Sequence, residues 1–174
     1  RQRRRRIAVV LVVLIIAAVM AVGSGLLGTS IAMLGDMTDS ISLYLNRAGA
    51  GWPANTGIRT PTQVEPLAGG FVEMDNEDVA VYSAYGAKIR TIQPGYARPA
   101  LAVGNTRFVL YNRAGKELTV QSRTRQLYAK SFNNAIMLCE MAQNGTLAVV
   151  TESDRYAAEV MVYDASFSGD PCTW

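Results

Sequence analysis

The 174-residue chain has few side chains of the types that carry out catalysis. It contains no histidine, the most frequent general base and metal ligand near neutral pH. A Ser or Cys nucleophile would therefore need a lysine or carboxylate base. The segment 22–26 (VGSGL) lacks the G-x-S-x-G spacing of a nucleophile elbow, and Lys88, Lys116 and Lys130 lie in strand-like segments typical of surface charges. We predict no catalytic residues and no enzymatic activity.

Metal-binding patterns are also absent from the sequence. Cys139 and Cys172, the two cysteines, are too widely spaced for a zinc site or a disulfide framework. Segment 74–78 (MDNED) is acidic, but it lacks the alternating oxygen ligands and the glycine of a calcium loop. A polar hairpin turn is the stronger interpretation of that segment. We expect no metal and no cofactor.

Three patterns of polar and aromatic residues have both a binding and a structural interpretation. Arg123 and Arg125 on one side of a strand could hold a carboxylate or phosphate, but the behaviour of surface charges favours a solvent-facing strand or turn. Asn144-Gly145-Thr146 matches a glycosylation acceptor, yet Asn-Gly is also a preferred hairpin turn, and the same turn interpretation applies to 112–115 (NRAG). Exposed tyrosines could form a recognition surface, whereas packing between sheets is expected for most of them. The tyrosines concerned are Tyr82, Tyr85, Tyr96, Tyr111, Tyr128, Tyr156 and Tyr163.

The positive charge of the chain is concentrated at its start. The formal net charge is +3, but five of the 17 Lys and Arg residues lie within residues 1–6, and beyond them the 14 acidic residues outnumber the basic ones. Residues 7–34 contain no charged side chain, and 7–28 is long and apolar enough to cross a bilayer as a helix. The arginines on its N-terminal side predict a cytoplasmic N-terminus and an extracytoplasmic C-terminal region. A cleaved signal peptide is the alternative, but its apolar region is usually shorter.

These patterns divide the chain into four predicted regions. Residues 1–6 form a basic cytoplasmic tail and 7–34 a transmembrane helix, so the lipid bilayer is an expected partner. Residues 35–66 form a juxtamembrane segment and linker, because 47–66 is rich in Gly, Pro, Thr and Asn. Residues 67–174 form a repeat region. A tail of arginines is not the basic face of a nucleic-acid-binding domain, so we expect no nucleic-acid partner.

The repeat region contains a strand pattern that returns at near-constant spacing. Segments 78–86 (DVAVYSAYG), 117–125 (ELTVQSRTR) and 159–167 (EVMVYDASF) align on Val81, Val120 and Val162, with 39 and 42 residues between them. Each follows another apolar strand, and turn residues separate the strands. Four short strands per unit of about 40 residues are typical of a β-propeller blade. A β-sandwich is the alternative all-β fold, but it does not require a fixed repeat.

We therefore predict an all-β partial propeller of about two and a half four-stranded blades, preceded by one transmembrane helix. A closed propeller has about 4–8 blades, and an open stack exposes sheet edges. This predicts that the sequence is truncated and that further blades lie beyond Trp174.

The sequence resembles a family of uncharacterised, membrane-anchored proteins from Gram-positive, mostly gut-associated bacteria. The segments that carry the resemblance are 48–53 (AGAGWP), 95–132, which includes the turn Tyr-Asn-Arg-Ala-Gly, and 144–167. The resemblance implies an arginine-rich N-terminus, one transmembrane helix and a propeller-like ectodomain of unknown function. It supplies no catalytic residues. A more distant likeness to WD-repeat and quinoprotein-type propellers lacks their Trp-Asp pair and quinone-contacting residues.

Three functional hypotheses follow. The first is a membrane-anchored binding or scaffold module of unknown ligand, with another envelope protein as a possible partner. The second is an envelope enzyme or sensor whose site is completed by further blades. The third is a component of an export or assembly machine. A propeller fold is compatible with all three, because fold alone does not determine function.

Overall fold

Three four-stranded antiparallel sheets make up the described part of the protein. The computed structural model describes residues 41, 49, 51–58 and 60–174. Each sheet is a meander whose strands pair in chain order, and we call the sheets blades 1, 2 and 3. Blade 1 consists of β1 (Gln63–Leu67), β2 (Gly70–Met74), β3 (Val79–Ser83) and β4 (Lys88–Ile92). Blade 2 consists of β5 (Pro99–Val103), β6 (Arg107–Asn112), β7 (Glu117–Ser122) and β8 (Gln126–Ser131). Blade 3 consists of β9 (Ile136–Met141), β10 (Leu147–Thr151), β11 (Glu159–Tyr163) and β12 (Cys172–Thr173).

The valine repeat marks the third strand of every blade, as predicted. Val81, Val120 and Val162 lie in β3, β7 and β11, opposite Val72, Val109 and Ala148 of the preceding strands. Val81 and Val120 pack in the core with the next blade, whereas Tyr82 packs under the segment before blade 1 and Tyr163 in the core with blade 2. Both faces of a middle sheet are therefore buried, which explains why its strands are apolar on both sides.

Two hydrophobic cores hold the blades together face to face. The core between blades 1 and 2 contains Leu67, Val72, Met74, Val79, Val81, Leu101, Phe108 and Leu110. The core between blades 2 and 3 contains Ala102, Val109, Tyr111, Leu118, Val120, Phe132, Ile136, Cys139, Met141, Leu147, Val149 and Tyr163. The first strands β1, β5 and β9 contact one another in sequence, so they form the inner edge of the stack.

The number of complete sheets differs from the prediction of two and a half blades. Blade 3 has a fourth strand, because Cys172 and Thr173 pair with Val162 and Met161. This strand is only two residues long, and the loop before it contains Gly169 and Pro171. Those residues disfavour strand pairing, so the sequence pattern did not mark the strand.

The linker interpretation is wrong for the last residues of segment 35–66. Residues from Gln63 onward form β1, which pairs along its length with β2. Glu65 and Pro66 concealed the strand, because both residue types are uncommon in strands. Pro66 is tolerated here because β1 is an edge strand with a single partner.

The predicted tail and transmembrane helix lie outside the described residues. Within the part of the chain that the structure describes, no helix is long and apolar enough to span a bilayer.

Candidate functional site

The connections between strands gather at two opposite ends of the stack. In an antiparallel meander, successive turns alternate between the two ends of the sheet. The connections β2–β3, β4–β5, β6–β7, β8–β9 and β10–β11 lie at one end, which we call the charged end. The connections β1–β2, β3–β4, β5–β6, β7–β8, β9–β10 and β11–β12 lie at the opposite end of the stack, which we call the linker end. Backbone hydrogen bonds join neighbouring blades there, for example from the Ala68 N–H to the Asn105 carbonyl at 2.8 Å.

At the charged end, blade 1 presents an ordered acidic turn. The Asp75 carboxylate accepts hydrogen bonds from the backbone N–H groups of Asp78 at 2.7 Å and Glu77 at 2.8 Å. These bonds stabilise the charged form and lower the pKa of Asp75. Asp78 accepts a further bond from the Gln93 side chain at 2.9 Å. The turn is therefore anionic and held in one conformation, as expected for the polar hairpin interpretation of segment 74–78.

Blade 2 presents a basic turn at the same end. The β6–β7 turn carries Arg113 and Lys116, both exposed, and Arg98 lies exposed in the neighbouring β4–β5 connection. A hydrogen bond from the Arg113 side chain to Tyr111 raises the pKa of Arg113. Glu117 accepts bonds from the Asn112 side chain at 3.2 Å and the Lys116 N–H at 3.1 Å, and these bonds lower the pKa of its carboxyl group.

Backbone hydrogen bonds fix this basic turn on both sides. The Arg113 N–H donates to the Arg98 carbonyl at 2.9 Å, so the two arginine-bearing segments are joined. The Ala114 N–H donates to the Ile136 carbonyl at 2.8 Å, and the Ile136 N–H donates to the Gly115 carbonyl at 2.6 Å. The turn is thus tied to the first strand of blade 3, and its cations project from a rigid backbone.

Blade 3 returns to mainly acidic residues at the charged end. Its β10–β11 connection carries Glu152, Asp154, Arg155 and Tyr156, all exposed, and 73% of the Tyr156 surface is accessible. Successive blades therefore present acidic, basic and mainly acidic turns. Within the described ranges, no three His, Cys, Asp or Glu side chains are close enough to hold a metal ion.

The structure separates the two arginines that the sequence placed together. Arg125 is exposed in the β7–β8 turn at the linker end, in agreement with the solvent-facing interpretation. That interpretation is wrong for Arg123, which is 4% exposed and donates from Nη1 to the Ala68 carbonyl of blade 1. Its guanidinium group joins two blades, because a turn carbonyl of the neighbouring blade lies within its reach.

The other candidate residues are structural or dispersed. Tyr111 and Tyr163 are buried between blades 2 and 3, as expected, and Asn112–Gly115 and Asn144-Gly145 form turns. Lys88 and Lys116 are exposed at opposite ends of the stack, whereas a hydrogen bond to Tyr163 raises the pKa of the half-buried Lys130.

Sequence reasoning missed the segment that covers the outer face of blade 1. Residues 51–57, which we call the strap, lie over β2 and β3. The Trp52 ring packs 5.4 Å from Phe71 and 6.3 Å from Tyr82, measured between ring centroids. The Tyr82 hydroxyl donates to the Thr56 carbonyl at 2.5 Å. A single Trp-Pro pair in a Gly-rich segment was the only signal in the sequence.

Comparison with known families assigns the chain to a group without an assigned activity. A model described as a family of unknown function, DUF5711, matches residues 53–169, which include all of β1 to β11. No curated protein sequence matches the chain.

Three solved structures resemble part of the chain. BamB from Moraxella catarrhalis superposes with a TM-score of 0.50 at 16% identity, over 64% of this chain and 34% of BamB. HIRA residues 644–1017 give a TM-score of 0.48 at 11% identity, over 65% of this chain and 39% of that one. The Pan2 WD40 domain of Neurospora crassa gives 0.45 at 11% identity, over 66% and 35%. The chain thus spans roughly a third of each of these structures, and the likeness to BamB shows a propeller-like fold alone.

Proposed function

The chain belongs to the DUF5711 family of unknown function, and we propose that it is a membrane-anchored, extracytoplasmic propeller module that binds another envelope protein. In this proposal residues 7–34 anchor the module, residues 1–6 remain in the cytoplasm, and the blades lie on the outer side of the membrane. The module acts as a scaffold and catalyses no reaction. It has no nucleic-acid partner and needs no cofactor.

The observation that carries the proposal is the alternation of charge at the charged end. Rigid turns at the end of a stacked sheet are suited to recognition, because the scaffold positions them without a cost in loop ordering. The basic turn of blade 2 lies between acidic turns of blades 1 and 3 and is hydrogen-bonded to the β4–β5 connection and to β9. A partner with an acidic segment flanked by basic residues would match this order of charges.

Among the described residues no further blade packs on the outer face of blade 3, and this face supports the idea that the described blades belong to a larger propeller. Val150, Val160 and Val162 are half-buried on this face, and Leu138 is 46% exposed. The equivalent faces of blades 1 and 2 are covered by the next blade. We propose that a further sheet covers blade 3 in the same way.

The binding hypothesis is tested by capture of envelope proteins on the immobilised full chain in mild detergent. We expect one protein to be retained at low ionic strength and released by salt, because contacts between exposed charges are screened. The double variant Arg113→Glu/Lys116→Glu should lose that protein.

The matched control is Arg125→Glu, which reverses an exposed arginine of the same blade at the linker end. It should retain the partner at the level of the unmodified chain. Equal retention by both variants would contradict the assignment of binding to the charged end. Retention of no protein by the unmodified chain would count against a scaffold function.

A further inference from the structure

We propose that the linker end of blade 1 rests on the lipid surface, with Trp52, Tyr85 and Lys88 as the contacting side chains. This inference rests on the proposed membrane anchor and adds the orientation of the module relative to the bilayer. Trp52 and Tyr85 are 45% and 44% exposed, and Lys88 is exposed at the start of β4. Trp and Tyr are enriched where proteins meet the headgroup region, and Lys binds anionic headgroups.

The two aromatic residues are brought to one corner by close backbone contacts. The Trp52 indole N–H donates to the Ala84 carbonyl at 3.0 Å, and the Gly51 N–H donates to the Tyr85 carbonyl at 3.1 Å. At Gly86, which has a φ of 80°, an added Cβ would lie only 2.6 Å from the Gly51 carbonyl oxygen. A side chain there would separate the strap from the β3–β4 turn, so glycine is required for the corner to form.

The chain coming from the predicted anchor arrives at this same corner. A Cβ on Gly49 would meet the Tyr85 carbonyl oxygen at 2.2 Å, so the backbone before the strap passes directly along the β3–β4 turn. Residues 35–50 separate the predicted helix from the strap and span at most about 55 Å when fully extended. The chain from the predicted anchor therefore enters the module at the linker end of blade 1.

The two ends of blade 1 also differ in the charged residues that they carry. Segments 49–58 and 84–88 contain no acidic residue, and Lys88 is their only charged side chain. The acidic turn with Asp75, Glu77 and Asp78 lies at the other end of the same strands, about 17 Å away for a five-residue strand. An anionic lipid surface would attract the linker end and repel the charged end, which leaves the charged end facing away from the membrane.

The experiment uses the full chain in vesicles of phosphatidylcholine and phosphatidylglycerol with a nitroxide quencher on the headgroup. The variant Trp174→Phe reports Trp52 fluorescence alone, and Trp52→Phe reports Trp174 alone. Trp174 is 72% exposed and thus more accessible to water than Trp52. We expect the headgroup quencher to act several-fold more strongly on Trp52, and a water-soluble quencher to act more strongly on Trp174.

A second variant tests the contact with lipid while Trp52 is kept in place. In the Trp174→Phe chain, Lys88→Gln should weaken surface contact about fivefold, which is the contribution of one lysine near an anionic surface. Tyr156→Ser, at the charged end, should leave the quenching unchanged. Equal headgroup quenching of Trp52 and Trp174, in a chain that floats with the vesicles and resists alkaline extraction, would overturn this inference and leave the anchor in place. A chain that fails to float would overturn both proposals.

Discussion

The two outer faces of the three-blade stack are opposite sides of the repeated sheet, and they are covered differently. On blade 1, the face that precedes the stack bears Phe71 and Tyr82, and the strap covers both rings through Trp52. On blade 3, the face that follows the stack bears Val160 and Val162, which are half-buried with no blade beyond them among the described residues. The strap covers the outer face of blade 1, whereas the outer face of blade 3 is apolar, like the faces that pack between blades.

A single side chain shows how the covered face has been adapted to the strap. Glu73 of blade 1 corresponds in strand register to Leu110 of blade 2 and Val149 of blade 3. The two apolar residues pack against a preceding blade, whereas Glu73 lies under the strap and accepts a 3.4 Å hydrogen bond from the Thr56 hydroxyl. The polar strap supplies a hydrogen-bond donor for Glu73. On this face the strap therefore takes the position that a preceding blade takes on blades 2 and 3.

Substitution of Tyr82 should have the largest effect and tests whether the strap-covered face is a true core. Tyr82 is 2% exposed, stacks on Phe71 at 5.2 Å between centroids and donates its hydroxyl to Thr56. Tyr82→Ala should reduce the free energy of unfolding by about 3–5 kcal/mol, because an aromatic side chain leaves a cavity. Chemical denaturation in mild detergent measures the loss. Tyr82→Phe removes only the hydrogen bond and should cost about 1 kcal/mol.

A loss below about 1 kcal/mol for Tyr82→Ala, the size expected of a surface substitution, would mean that the strap does not bury the ring. The two outer faces would then be equally open, and the comparison between them would fail.

The three repeat valines allow a matched test of the open face. Val81→Ala and Val120→Ala each remove two methyl groups from a fully buried position and should cost about 2 kcal/mol. Val162→Ala changes the equivalent position on a half-buried face and should cost less than about 1 kcal/mol. The measurement is the midpoint of denaturant unfolding for the three variants in parallel. A cost for Val162→Ala equal to the other two would show that a segment of this 174-residue chain, and not a further sheet, covers blade 3.

The valine repeat made the blades predictable, and the elements that it did not mark were missed. Four-stranded units, the aligned third strands and the turns at 112–115 and 144–145 follow from local patterns of apolar and turn residues. β1 was missed because Glu65 and Pro66 have low strand propensity, and only pairing with β2 stabilises the strand. β12 was missed because two residues make no pattern.

Residues at the candidate site were harder to predict because their environment depends on neighbouring blades. Arg123 and Arg125 look alike in the sequence, yet one is buried between blades and the other is exposed. The alternation of charge at the charged end depends on which turns share that end, which becomes evident only when the strand order is known. The strap contains no repeat and no periodicity, so its contact with Phe71 could not be derived from its residues.

The two cysteines of blade 3 lie on its opposite faces and provide a chemical test of the comparison. Cys139 is buried toward blade 2, and burial together with the nearby Glu140 charge raises the pKa of its thiol from 9.0 to about 12. Cys172 is exposed beside Val162 on the open face. In the folded chain a thiol reagent should label Cys172 rapidly and Cys139 only on unfolding, because the thiolate is the reactive form. Labelling kinetics in the two single-cysteine variants measure the difference.

The raised pKa of Cys139 also predicts the sign of a pH effect. The folded state holds the thiol proton more tightly than the unfolded state, so the stabilisation is complete below pH 9 and is lost as the pH rises from 9 toward 12. In that window the free energy of unfolding should fall by up to about 1.4 kcal/mol per pH unit. Cys139→Ala should remove this component of the slope, whereas Cys172→Ala should leave it. An identical slope in both variants would contradict the burial of Cys139.

Replacement of Glu73 should change the stability about as much as Tyr82→Phe but with the opposite sign. The Glu73 Oε2 atom is buried and has no hydrogen-bond partner among the described residues, so the carboxylate is incompletely compensated for its loss of water. Glu73→Leu supplies the residue type found at the equivalent position of blade 2 and should raise the free energy of unfolding by about 1 kcal/mol. Glu73→Gln keeps an acceptor for Thr56 and serves as the matched control. If Glu73→Leu instead destabilises the chain while Glu73→Gln does not, a donor from outside the described residues reaches this carboxylate, and the strap is then only part of what covers blade 1.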